Sequence, residues 1–133
     1  MADWGKANPD GKYWNKELET LPREQLEAKQ LEDLKEIVKF AYENSPYYKR
    51  SFDEAGVKPE DIKTLKDIQK FPYINKKTQR DTQGVGSFLG ELAAVPEEDV
   101  VFVSTSSGST GVPTVSPFTK QDFDEFQDTE SRW

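Results

Sequence analysis

With 133 residues this chain has the length of one ordinary domain, yet 34% apolar against 32% charged residues leaves little material for a self-sufficient core. A formal charge of −7 and a pI near 4.7 disfavour nucleic-acid binding, because no basic stripe offsets the acid. The absence of cysteine and histidine excludes disulfides, thiolate nucleophiles, Cys/His metal sites and Ser-His-Asp triads within the chain. No apolar run is long enough to span a membrane, and MADWGKANPDGKYW at the start lacks an apolar signal core, so a cytoplasmic protein is the default expectation.

Residues 1–19 read as an irregular polar segment with Trp4, Tyr13 and Trp14 as anchors. Thr20-Leu21-Pro22 then reads as a helix start, with Pro22 inside the first turn. Leu26, Leu34, Ile37, Val38 and Ala41 recur at helical spacing, with Leu31 broadening the stripe, and predict a helix to about Asn44. Such a stripe usually faces the chain's own core and less often a partner. Ser45 suits an N-cap and Pro46 the first position of a second helix, which Gly56 closes. A short helix follows Thr64 and stops before Phe71-Pro72, and Asn75 caps another from Lys76 to about Gln83. Lys76, Lys77 and Arg80 make the one local basic cluster, read as a solvated helix face.

Residues 84–99 read as a loop broken by Gly84, Gly86, Gly90 and Pro96, with Phe88 and Leu89 as its apolar attachment. Val100 to Ser104 is the first strand. Thr114 to Phe118 is a second, placed at an edge by Pro117. Thr119 caps a last helix carrying Phe123, Phe126 and Trp133. That helix ends without a closing signal, and two strands are too few for a stable sheet, so the chain is expected to be a piece of a larger protein. The predicted organisation is an irregular segment at 1–19, a helical subregion at 20–99, and at 100–133 the start of an incomplete core domain.

Between the two strands lies SSGSTGVPT, from Ser106 to Thr114. Gly108 and Gly111 permit backbone conformations that side chains forbid, so amide N–H groups can converge on an anion. Ser106, Ser107, Ser109 and Thr110 add hydroxyl donors. The loop is not a Walker A sequence, because no Gly-Lys-Ser/Thr follows its glycines. An ordinary turn or flexible linker has a similar composition.

Several segments in order resemble the N-terminal part of the phenylacetate–coenzyme A ligase family of AMP-forming, adenylate-forming enzymes. Ala41 to Tyr48 (AYENSPYY) is similar to the family's AYENVPHYR-type segment, and Phe52 to Val57 (FDEAGV) to its FDAAGV stretch. Leu65 to Pro72 resembles LxDLxKFP, ahead of the helix with Lys77 and Arg80-Asp81, and Ser106 to Thr114 resembles SSGTTGKPT. The resemblance runs from about Tyr13 to Phe126 and covers only the beginning of the family's much longer sequence.

It implies an α/β, helix-rich fragment of the adenylate-forming (acyl-CoA synthetase-like) fold, with one or two strands flanking a phosphate-binding loop. Ser106, Ser107, Gly108, Ser109, Thr110 and Gly111 would hold ATP phosphates while a carboxylic acid, of aromatic type, is activated to an acyl adenylate and passed to coenzyme A. ATP, Mg2+ and coenzyme A are implied for the intact parent, which the resemblance also makes a candidate homodimer; none is expected to bind tightly to this fragment. The expected partners are the remainder of the ligase chain and the acid substrate, with no nucleic acid and no membrane. No catalytic or metal-ligating residue is assigned here, and the chain alone is expected to be inactive. Two positions depart from the family: Val112 stands where lysine is frequent, and Pro117-Phe118-Thr119 where Gly-Tyr-Thr is frequent. The rival readings are a non-catalytic helical interaction module, a degenerate ligase remnant and a free-standing nucleotide-binding domain.

Overall fold

The computed structural model describes residues 11–106 and 113–130. Its elements in order are α1 (Lys16–Glu19), α2 (Arg23–Asn44), α3 (Pro46–Ala55), 3-10 turns at Pro59–Asp61 and Leu65–Lys70, α4 (Lys76–Thr82), a 3-10 turn at Glu97–Asp99, strands β1 (Val100–Thr105) and β2 (Val115–Thr119), and α5 (Lys120–Glu130). The segment expected to be irregular thus contains one turn of helix. Asn15 caps it by accepting from the Leu18 amide at 3.1 Å, and Glu19 reaches back to the amides of Trp14 and Asn15. Trp14 is an anchor as expected, donating its indole N–H to Asp128 on α5 at 2.9 Å. Trp4 and Trp133 lie outside the described residues.

Pro22 sits one position earlier than the sequence suggests. Its ψ of 144° is extended, so it caps α2 from outside, and its carbonyl accepts the first helical bond from Leu26 at 3.0 Å. The α2–α3 junction follows the sequence closely. Ser45 accepts from the Tyr48 amide, Pro46 occupies the first turn, and Gly56 closes α3 in the left-handed region at φ 68°.

Val38, Phe52, Ile62 and Phe71 form the core of this helical layer, with Leu31, Leu34, Tyr42, Tyr48 and Val57 packed around them. Phe52 is its centre: the ring meets Phe71 edge-on at 4.9 Å, lies 5.7 Å from Tyr48, and stacks on Tyr42 at 6.2 Å. Ile37 does not join this core. It is 58% exposed, because the buried side of α2 turns through Leu31, Leu34 and Val38.

The turn after Thr64 is 3-10 rather than α-helical. The Asp67 carboxylate holds its start, accepting from the amides of Thr64 (2.6 Å) and Lys63 (2.9 Å) and from the Thr64 hydroxyl (3.0 Å), and it pairs with Lys70 at 2.7 Å. The Lys70 bond first, and then the Thr64 and Lys63 donors, hold its carboxyl well below the usual carboxylate range. A depressed folded-state pKa contributes stability at pH values above the unfolded value and loses it as pH falls through the lower folded value. Asp67→Asn is therefore expected to flatten the acid limb of a melting-temperature profile below about pH 4. Equal slopes for variant and parent between pH 5 and pH 2 would count against this role, these bounds being set roughly by the carboxylate range.

Strands β1 and β2 form a two-stranded antiparallel sheet, pairing Phe102 with Phe118, Ser104 with Ser116 and Thr105 with Val115, with an irregularity between Val100 and Phe102. The α5 helix packs on it through aromatic rings. Phe102 lies 4.9 Å from Phe123, and Phe118 lies 5.5 Å from Phe126. Thr119 caps α5 reciprocally with Asp122: each backbone amide donates to the other's side chain, at 3.0 and 3.2 Å. Among the described residues, no helix is long and apolar enough to cross a membrane.

Candidate functional site: the stem of the serine–glycine loop

Of the six residues the sequence singles out, the structure describes Ser106; Ser107, Gly108, Ser109, Thr110 and Gly111, together with Val112, lie outside the described residues. What is described is how the loop begins and ends. The Ser106 amide donates to the Thr114 carbonyl at 3.0 Å. In return the Ser106 hydroxyl oxygen accepts from the Thr114 amide at 3.0 Å and from the Thr114 hydroxyl at 3.1 Å. Thr114 is buried, so these bonds stand in for lost hydration. Ser106 therefore clamps the loop's two ends together.

The far side of this stem is held by α4. Gln83 donates from Nε2 to the Pro113 carbonyl at 3.1 Å and accepts at Oε1 from the Val115 amide at 2.9 Å. One helical turn earlier, Gln79 donates to the Val115 carbonyl at 3.1 Å. Backbone groups two residues apart on a strand point the same way. Val115, Pro117 and Thr119 thus face the outer edge of β2, away from β1. Gln83 takes the first amide, Pro117 has no N–H to offer, and Asp122 takes the third. All the N–H positions of this edge are accounted for without another strand.

The α4 helix is in turn fixed to the helical layer through Glu91. The Thr82 carbonyl accepts from the Glu91 amide at 3.2 Å, and the Glu91 carbonyl accepts from the Tyr47 amide (3.0 Å) and the buried Ser45 hydroxyl (2.9 Å). Arg50 forks onto the Glu91 carboxylate at 3.0 and 2.9 Å and so holds that carboxyl below its ordinary range. Gly90, at φ 77°, lets the chain pass against the Thr82 carbonyl. A cleft of about 240 Å³ opens between Gln79, Thr82, Leu89, Leu92 and Pro117, beside the stem. Leu89 is buried there, whereas Phe88, expected to share the attachment, is 63% exposed.

Sequence reasoning marked the loop and missed its supports. Gln79 lies on α4 and Gln83 is its extended C-cap residue, four positions on. The basic cluster has Lys76 and Lys77 exposed, with Lys77 paired to Asp81, while Arg80 is half-buried. Among the described residues, no group of His, Cys, Asp or Glu is placed to hold a metal ion.

No family model matches the chain. Curated relatives do. The chain is 46% identical over 116 residues to a phenylacetate-coenzyme A ligase of Thermus thermophilus, covering 87% of this chain and 25% of that protein. It is 43% identical over 115 residues to one of Escherichia coli, covering 86% and 25%. Among solved structures it resembles 2-hydroxyisobutyryl-CoA ligase in complex with 2-HIB-AMP in the postadenylation state, with TM-score 0.84, 27% identity, and coverage of 94% of this chain and 26% of that one. The same ligase with 2-HIB-AMP and CoA in the thioesterification state gives TM-score 0.85 at 28% identity, again covering 94% and 26%. The chain spans about a quarter of the length of the phenylacetate-coenzyme A ligases it is similar to in sequence, and about a quarter of the 2-hydroxyisobutyryl-CoA ligase it resembles in fold.

Proposed function

We propose that the chain is the phosphate-loop segment of an AMP-forming acid–coenzyme A ligase. The observation that carries this reading is the Ser106–Thr114 clamp, which joins the two ends of a loop otherwise composed like a linker. In the reaction, an acid carboxylate attacks the α-phosphorus of ATP, pyrophosphate leaves, and the coenzyme A thiol then displaces AMP to give a thioester. The amides and hydroxyls of Ser107, Gly108, Ser109, Thr110 and Gly111 hold the β- and γ-phosphates and stabilise charge as pyrophosphate departs. They move no proton. Ser106 accepts from Thr114 at the stem and retains its hydroxyl proton to donate.

The acid is aromatic on the likeness to phenylacetate ligases, and the setting is cytoplasmic. Mg2+ ligation, the acyl pocket and the coenzyme A site are assigned to the remainder of a ligase chain, so residues 1–133 alone are inactive on this reading and bind ATP weakly. In the complete ligase polypeptide carrying this segment, Gly108→Val or Gly111→Val is expected to slow single-turnover adenylation at saturating ATP by about a hundredfold or more, as for a misplaced reacting group. A β-branched side chain removes the backbone conformations that let amides approach a phosphate. Val112→Lys is expected to leave the rate unchanged or raise it. Normal rates in both glycine variants, with folding verified by circular dichroism, would reduce the loop to an ordinary turn.

A further inference from the structure

The loop's entry and exit are held by different means. Its entry continues from β1 through the strand ladder. Its exit runs through Pro113, Thr114 and Val115, which are gripped from both sides: Ser106 binds Thr114 on the inner side, and Gln83 binds the flanking Pro113 and Val115 on the outer side. Gln79 adds a third outer bond at the Val115 carbonyl. A single carboxamide that bonds one carbonyl and one amide fixes both the position and the rotation of the backbone between them. The grip also has a firm origin, because α4 is tied through Thr82 and Glu91 to the buried Ser45 at the α2–α3 junction.

We propose that Gln83, assisted by Gln79, is a positioning residue for the anion-holding loop, setting where the loop ends and so where its amides and hydroxyls meet a nucleotide phosphate chain. This rests on the ligase reading above for the identity of the ligand, though not for the grip itself. Neither glutamine touches the nucleotide. Each acts through the backbone of residues 113–115, and a displacement there of an ångström is transmitted to the phosphate donors.

The test uses the complete ligase polypeptide carrying this segment. Gln83→Leu keeps the side chain's bulk and removes both bonds. It is expected to raise the KM for ATP about tenfold while the KM for the carboxylic acid stays within about twofold, a split that loss of folded protein cannot produce. Amide hydrogen exchange in a peptide spanning residues 113–119 is expected to quicken about tenfold, with the peptide around Ile62 unchanged. Gln83→Glu retains the acceptor for the Val115 amide and loses the donor to Pro113, so it should fall between. Should Gln83→Leu fail to fold, Gln79→Leu and Gln83→Glu decide the matter by the same two readouts. An unchanged KM for ATP, or a fall in kcat with both KM values constant, overturns the proposal. If the parent polypeptide shows no acid-dependent ATP–pyrophosphate exchange, the ligase reading falls instead. The grip is then judged on hydrogen exchange alone, where an unchanged rate at residues 113–119 overturns it.

Discussion

Gly90→Ala is expected to cost about 3 kcal/mol of folding stability, with Gly90→Val costing more, out of the roughly 5–15 kcal/mol typical of a domain. Two effects add. At φ 77° the backbone occupies the left-handed region, which a side chain strains. A Cβ at this position would also collide with the Thr82 carbonyl oxygen and come within 2.8 Å of the Gln83 Cα, both of them backbone atoms with no flexible end to give way. That carbonyl accepts the Val85 and Glu91 amides, so pushing it aside also disturbs the tie from α4 to the helical layer. Gly56 supplies the internal control. It has a similar φ of 68° with open space where a Cβ would stand, so Gly56→Ala should cost only the conformational strain, about 1 kcal/mol. Urea midpoints with equal m-values would check both, and equal losses for the two variants would remove the collision from the account.

Phe52→Ala is expected to remove about 3–5 kcal/mol, the range for deleting a buried phenyl ring. Phe52 is 4% exposed and is the one ring that touches Tyr42, Tyr48 and Phe71 together, so its loss unlinks α2, α3 and the Leu65–Phe71 segment at one point. With so few buried apolar residues in this layer, little remains to collapse into the cavity. Phe52→Leu should retain most of the packing at a cost below about 1.5 kcal/mol. Chemical denaturation followed by tryptophan fluorescence gives both values. An alanine variant within about 1 kcal/mol of its parent would place the centre of the core elsewhere.

The parts of this fold written in short-range chemistry could be read from the sequence. Ser45, Pro46 and Gly56 mark α3 because a cap, a preset φ and a left-handed closing residue each act within a few positions of themselves. Asn75 and Thr119 mark α4 and α5 in the same way. The paired strands follow from Val100 to Val103 and from Pro117, and the resemblance in ordered motifs to the phenylacetate ligases is matched by the relatives found. Long-range geometry was not legible. Helical spacing put Ile37 in the stripe of α2, but which side of the stripe is covered depends on where Phe52 and Ile62 arrive. Composition marked Ser106 as a loop hydroxyl, but not that its oxygen would accept from both the amide and the hydroxyl of Thr114 across the stem. Nothing local announces that Gln83 will meet Val115, because that contact depends on how the 84–99 loop folds back around Gly90.

The closed outer edge of β2 has a consequence for self-association. A sheet with two open edges can recruit copies from both sides and grow without limit. Here the Gln83, Pro117 and Asp122 positions seal one side, which leaves the Val103 and Thr105 side of β1 as the place for strand addition. Among the described residues, addition of a strand to this sheet through backbone N–H donors is therefore confined to the β1 side.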